Sequence, residues 1–208
     1  MSGVLLRQFD PLSVSAYTSK SSSSRRLVVL LCALGIPTAK IEDRISVISS
    51  DLAPIMDAVP EFRLYHALST MEILKFQHHF LVMNAMTPLP DFEQMFNDWY
   101  ITEHIPLLQR VPFWLSSERF VLVSASSANP VPSHLALHKW NDIAAFETDE
   151  YKAATNTPWR TEVMGKVIQK ERLVLEYEGE LEDLMVSIHK SLAWSNFSRS
   201  FKASSRSP

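Results

Sequence analysis

The sequence predicts an α+β fold, and three observations between residues 79 and 178 carry that reading. Four strand-length apolar runs occur there: Phe80 to Met86, Trp114 to Ser124, His134 to Trp140 and Gln169 to Tyr177. Two helical stretches separate them, one running from Asp91 to the vicinity of His104 and one from Asn141 to the vicinity of Val167. Turn-forming residues mark the boundaries at Thr87-Pro88-Leu89-Pro90, at Val111-Pro112-Phe113 and across Ala125 to Ser133. The resulting order is β-α-β-β-α-β.

That order is the split βαβ, or ferredoxin-like, arrangement. A four-stranded sheet with both helices on one side leaves its other face bare. A covering partner is therefore expected, either a second copy in a homodimer or residues 1–78 in an intramolecular pseudo-dimer. In the long second run, Leu115, Ser117, Arg119, Val121 and Val123 share one face, and Trp114, Ser116, Glu118, Phe120 and Leu122 the other.

Ahead of this domain the signals are weaker. Gly3 to Phe9 reads as a short strand closed by Asp10-Pro11, and Ser13 to Ser24 as a serine-rich flexible loop. Leu27 to Ile36 reads as a buried strand or short helix, since about 20 apolar residues are needed to cross a bilayer. Ile41 to Ile48 alternates as a strand does, and Asp51 to Ile73 reads as mostly helical, interrupted at Pro54 and Pro60. A weak internal repeat links the halves. Val4-Leu5-Leu6 before Pro11-Leu12 echoes Phe80-Leu81-Val82 before Pro88-Leu89, and Asp51-Leu52-Ala53 echoes Asp142-Ile143-Ala144. The chain thus divides into 1–78, a degenerate N-terminal repeat or an extension; 79–178, the α+β domain; and 179–208, a helix from Glu180 to Trp194 and a disordered Ser/Arg/Lys-rich tail.

The helix from Asp91 carries the one chemically suggestive cluster. Phe92, Met95, Phe96, Trp99 and Tyr100 recur at three- and four-residue spacing, so they share a stripe. His104 lies four residues after Tyr100 and extends that stripe, and Pro106 is expected to end the regular turns close to it. An imidazole at the end of an apolar stripe is either a core histidine bonded to a carbonyl or a pocket acid or base.

Composition narrows the function. A formal charge of −3 gives no electrostatic case for nucleic acid, and one cysteine, Cys32, excludes an internal disulfide. With no visible signal peptide and no membrane-length span, a cytoplasmic protein without membrane association is expected. Four glycines, and no Gly-rich phosphate loop, G-x-S-x-G or H-E-x-x-H, argue against kinase, dehydrogenase, serine hydrolase and zinc protease readings. No metal site is expected. His134 and His138 share a strand face but lie roughly 13 Å apart, and His78-His79 point to opposite faces.

Asn97-Asp98-Trp99-Tyr100, Glu103-His104-Ile105-Pro106 and Val111-Pro112-Phe113 together resemble the dimeric α+β barrel superfamily, most of all its EthD-like branch. His134 to Trp140, Glu150-Tyr151-Lys152 and Thr157-Pro158-Trp159-Arg160 also sit where that family has its third strand and second helix. The resemblance covers roughly half the chain. It departs at Phe113, where such sequences commonly carry glycine, and in the degraded first half. It implies a mostly apolar pocket between sheet and helices, with His104 as the catalytic acid or base. Phe96, Trp99, Tyr100, His138, Trp159 and Arg160 are the implied substrate-binding residues. It further implies a cofactor-independent enzyme of secondary metabolism acting on an aromatic polyketide-like small molecule, as a decarboxylase, cyclase or oxygenase. A non-catalytic small-molecule-binding or scaffold protein is the alternative on the same fold.

Overall fold

A computed structural model describes residues 12–19, 27–33, 38–52, 61–68, 79–180 and 186. The strands are β1 (Leu12–Ser19), β2 (Leu27–Ala33), β3 (Arg63–Ala67), β4 (Phe80–Pro88), β5 (Trp114–Ala125), β6 (His134–Trp140) and β7 (Val167–Glu180). The helices are α1 (Thr38–Leu52), α2 (Glu93–Trp99), α3 (Ile105–Leu108), α4 (Asp149–Ala154) and α5 (Pro158–Met164).

The strands form one seven-stranded sheet in the order β2-β1-β7-β4-β6-β5-β3, antiparallel throughout. Its middle is β7-β4-β6-β5, the strand order of a ferredoxin-like β-α-β-β-α-β unit. The fold class read from the sequence is therefore the observed one. The described N-terminal strands extend that same sheet. The β1–β2 hairpin adds to the β7 edge between Leu175 and Glu180, and β3 to the β5 edge between Phe120 and Ala125, so those parts of the two edges are paired.

Four local expectations are corrected. Ser13 to Ser24 begins not as a loop but as β1, paired on both sides; its serines alternate with Leu12, Val14 and Ala16, and composition hid that period. Ile41 to Ile48 is not a strand. It lies in α1, where Ile41, Ile45, Ile48 and Leu52 recur at helical spacing and Ile48 is buried. Within Asp51 to Ile73, residues 63–67 form β3 and are not helical, because pairing with β5 overrides local propensity. Pro106 does not end the organising helix. Between α2 and α3, Tyr100–His104 forms a π-turn in which the Ile105 N–H bonds the Tyr100 carbonyl. That wider turn carries the helix on to Leu108, with proline in the first turn of α3, where its missing N–H matters least. The expected strand at Gly3 to Phe9 lies outside the described residues. So does the expected helix from Glu180 to Trp194, apart from Glu180 at the end of β7 and Val186, which is helical.

The second helical stretch breaks into pieces, each with its own cap. The Asp142 carboxylate accepts from the Ala144 N–H (2.9 Å), the Thr148 hydroxyl from Tyr151 (3.2 Å) and the Thr157 hydroxyl from Arg160 (3.1 Å). The sheet buries both faces. Leu81, Ala85, Leu135, Leu137 and Leu175 lie on the face away from the helices, packed with Phe120 and with Tyr65 and Ala67 of β3. On the helix side, Phe80, Val82 and Trp140 pack with Leu108 and Ala145, and Ala136 packs with Phe96, Trp99 and Tyr100.

Candidate functional site

Alternation along β6 points His134, Ala136, His138 and Trp140 at the helices, and β4 adds Val82, Asn84 and Met86 to the same surface. The helical stripe faces them. Phe96, Trp99, Tyr100 and His104 are all buried. Between sheet and helices lies a cavity of about 510 Å³. Its wall includes His104, Trp99, His138, Trp140 and Asn84, and its rim includes Arg160, Lys170 and Arg172.

Four of the sequence-nominated residues meet at this cavity: His104, Trp99, His138 and Arg160. Phe96 and Tyr100 do not line it. They form the packed layer beside it, with Tyr100 edge-on to His104 at 5.4 Å and parallel to His138 at 6.4 Å. Trp159 packs against the same aromatic cluster and lines no part of the wall. Trp140, Ser117 and Arg119 escaped sequence reading, although alternation places Trp140 on His138's face and groups Ser117 with Arg119.

His104 stacks on Trp99 (centroids 4.4 Å, planes at 21°). Its Nδ1 is buried and has no hydrogen-bond partner among the described residues. Burial pushes its pKa down to about 4; the positive charge of Arg160 adds to that, and a bond to the Ala154 backbone opposes it. With Nδ1 unpartnered among the described residues, Nε2 is the nitrogen left to meet the Ala154 backbone, and in that tautomer Nδ1 carries the free lone pair. His138 is likewise held neutral, first by burial and then by His104, Arg172 and Arg119. Its Nδ1 lies 2.7 Å from the Ser117 hydroxyl, and its Nε2 is buried without a partner. The Trp140 indole N–H is a third unpartnered buried group at this cavity.

Arg119 is buried. It donates to Asn97 Oδ1 (2.7 Å) and lies 4.2 Å over the Tyr100 ring. Burial raises the Tyr100 phenol to about 12, against the pull of Arg119 and Arg160, so it stays protonated. Glu103 braces the π-turn, accepting from Trp99 Nε1 (3.2 Å) and from Thr157 Oγ1 (2.5 Å) at the cap of α5. At the rim, Arg160 makes no ion pair among the described residues, whereas Glu171 is bound to Arg63 (2.6 Å). The rim therefore presents more free cation than anion.

No family model matches the sequence, and no curated protein does. Among solved structures the chain is similar to an anthrone oxidase-like protein, with 12% identity over 81% of this chain and 77% of that one and a TM-score of 0.50. It is also similar to a candidate monooxygenase from Fusobacterium nucleatum, with 12% identity over 83% and 80% and a TM-score of 0.52. At this identity the likeness concerns the fold, which is of the dimeric α+β barrel type. Among the described residues no helix is long and apolar enough to cross a membrane.

Proposed function

We propose that the chain is a cofactor-independent enzyme whose cavity binds a hydroxylated aromatic of polyketide type and removes a proton from it with His104. The unpartnered Nδ1 of His104, buried in the cavity wall, carries this reading. A buried nitrogen without a partner costs stability unless a ligand uses it. Its pKa of about 4 makes the free imidazole a base and not an acid near neutrality. In the step assigned to it, a substrate O–H or activated C–H bond breaks, the electron pair stays on the substrate and the proton moves to Nδ1. The new anion sits beside the cation of Arg160, and Trp140 Nε1–H is a donor for a substrate carbonyl.

Such an anion is the nucleophile of a cyclisation or the electron donor to dioxygen in an oxygenation. A base-initiated reaction suits these two better than a decarboxylation that begins by protonating carbon. The names of the two structural neighbours, an anthrone oxidase-like protein and a candidate monooxygenase, agree with the oxygenase member, and the helix motif with the EthD-like branch. A homodimer or an intramolecular pseudo-dimer, with residues 1–78 as a worn repeat, is part of the same reading.

The second reading is a binding protein without turnover. A pKa of about 4 favours it, since so weak a base can accept a hydrogen bond without taking the proton. Anthrone separates the two, because its oxidation consumes one dioxygen and releases one quinone and one water. Dioxygen uptake should fall at least about a hundredfold in both His104→Ala and His104→Gln, with both variants folded. Anthrone bound by the wild-type protein without uptake supports the binder, and a fully active Gln variant removes His104 from the chemistry.

A further inference from the structure

Two imidazoles of the cavity wall meet edge to face, with ring centroids 5.8 Å apart and planes at 85°. Each has one buried nitrogen without a partner among the described residues, and the other nitrogen of His138 is held by Ser117. The leftover nitrogens differ in kind. For His104 it is the acceptor Nδ1, because the ring's N–H serves the Ala154 backbone. For His138 the tautomer is set one residue further back. The Trp114 indole N–H donates to Ser117 Oγ (3.1 Å). Ser117 accepts there and still has its own O–H to give, and His138 Nδ1 is 2.7 Å away. With Ser117 as the donor to Nδ1, the proton of His138 resides on Nε2, a donor buried in the cavity wall.

We propose that the two histidines form a seat for one substrate hydroxyl, whose oxygen accepts from His138 Nε2–H while its proton points at His104 Nδ1. A hydroxyl is the simple group that donates and accepts at one atom, so the seat selects phenols and enols over ethers and bare rings. This deepens the reading of the cavity above and shares with it the proton transfer to His104. In that step the O–H bond breaks, the proton goes to Nδ1, and the oxyanion keeps the hydrogen bond from His138 Nε2–H. Ser117 and Trp114 are positioning residues that act through the His138 tautomer.

Binding of three flat probes tests the seat without turnover: 2-naphthol, 2-methoxynaphthalene and naphthalene, measured by calorimetry on the full chain. The wild-type protein should bind the naphthol about tenfold tighter than the ether, and the ether several-fold tighter than naphthalene. His104→Phe should remove the naphthol-over-ether preference alone. His138→Phe should remove the ether-over-naphthalene preference alone. Ser117→Ala should shrink that second preference as well, and Ser117→Thr should restore it, which a merely structural role for Ser117 would not do. Should His138→Phe fail to fold, the two Ser117 variants carry the test. Equal binding of all three probes by the wild-type protein overturns the seat, as does an unchanged ether-over-naphthalene preference in His138→Phe. If the preferences hold and no substrate is turned over, the seat stands and the enzymatic reading falls.

Discussion

Acid should destabilise this protein well before its carboxylates titrate, and His104 sets a floor for the size of the effect. In the folded chain its pKa is about 4 against 6.5 unfolded. A histidine whose folded pKa is lowered takes up its proton in the unfolded state first. Its contribution to stability is therefore intact above 6.5 and is lost as the pH falls through the window from 6.5 to about 4. Each pH step in that window costs about 1.36 kcal/mol per proton. Between about pH 7 and pH 5, His104 alone removes about 2 kcal/mol, out of a total stability typically of about 5–15 kcal/mol. His134 and His138 are shifted the same way, so they steepen the loss. Urea unfolding at the two pH values measures it. His104→Gln cannot titrate, and its pH-dependent loss should be smaller than wild type by about those 2 kcal/mol. Equal stability at both pH values, or an identical loss in the Gln variant, would show that His104 is not buried as a neutral base.

Two further substitutions test the scaffold around the site. Glu103→Ala leaves the Trp99 indole and the Thr157 hydroxyl without their shared acceptor, so it should lower stability by about 1–3 kcal/mol and weaken probe binding; an unchanged melting temperature and affinity would refute the brace. Phe113 holds φ 68 in an exposed turn, a left-handed conformation costing about 1–2 kcal/mol for a side-chain-bearing residue. Phe113→Gly should raise the melting temperature by a few degrees, with part of the gain offset by glycine's greater unfolded freedom; a fall would show that the phenyl ring does more than occupy the turn.

The parts of this fold legible in the sequence were those fixed by local period. The stripe of Phe96, Trp99, Tyr100 and His104 is buried as spaced, and β4 to β7 fall on apolar runs set off by proline-rich turns. The turn at Phe113 keeps its left-handed geometry without glycine, a choice made by the neighbouring chain: the Phe113 carbonyl accepts from Asn141 N–H at 2.8 Å. What local pattern could not supply was pairing. Serines hid β1, whose place is set by β7 and β2. The π-turn depends on how the helix lies against the sheet. The contact of Ser117 with His138 depends on the β5–β6 register, which slips between Trp114 and Ser116. No spacing within β5 announces a partner 21 residues away. His104 was therefore visible as a candidate, whereas the Ser117–His138 contact became readable only from pairing between strands.

The energetics of the cavity wall argue for a ligand more strongly than its shape does. His104 Nδ1, His138 Nε2 and Trp140 Nε1 are each buried without a partner among the described residues. Each such group costs about 1–3 kcal/mol relative to an apolar replacement of similar shape. The surroundings would accept such replacements: Val82, Leu108 and Ala145 on one side and Phe96, Ala136 and Val163 on the other form ordinary apolar clusters. A wall shaped by packing alone would place leucine or phenylalanine at 104 and 138. It would have no use for Ser117 and Trp114 behind His138 to fix which nitrogen bears the proton. Three polar groups without partners among the described residues, around about 510 Å³, are a burden on stability that a bound ligand oxygen would relieve. The same burden accounts for the acid sensitivity argued above, since the burial that leaves these nitrogens without partners also keeps His104 and His138 neutral. Stability given up at low pH and affinity for a hydroxyl are thus two readings of one arrangement, and a variant that alters either should alter both.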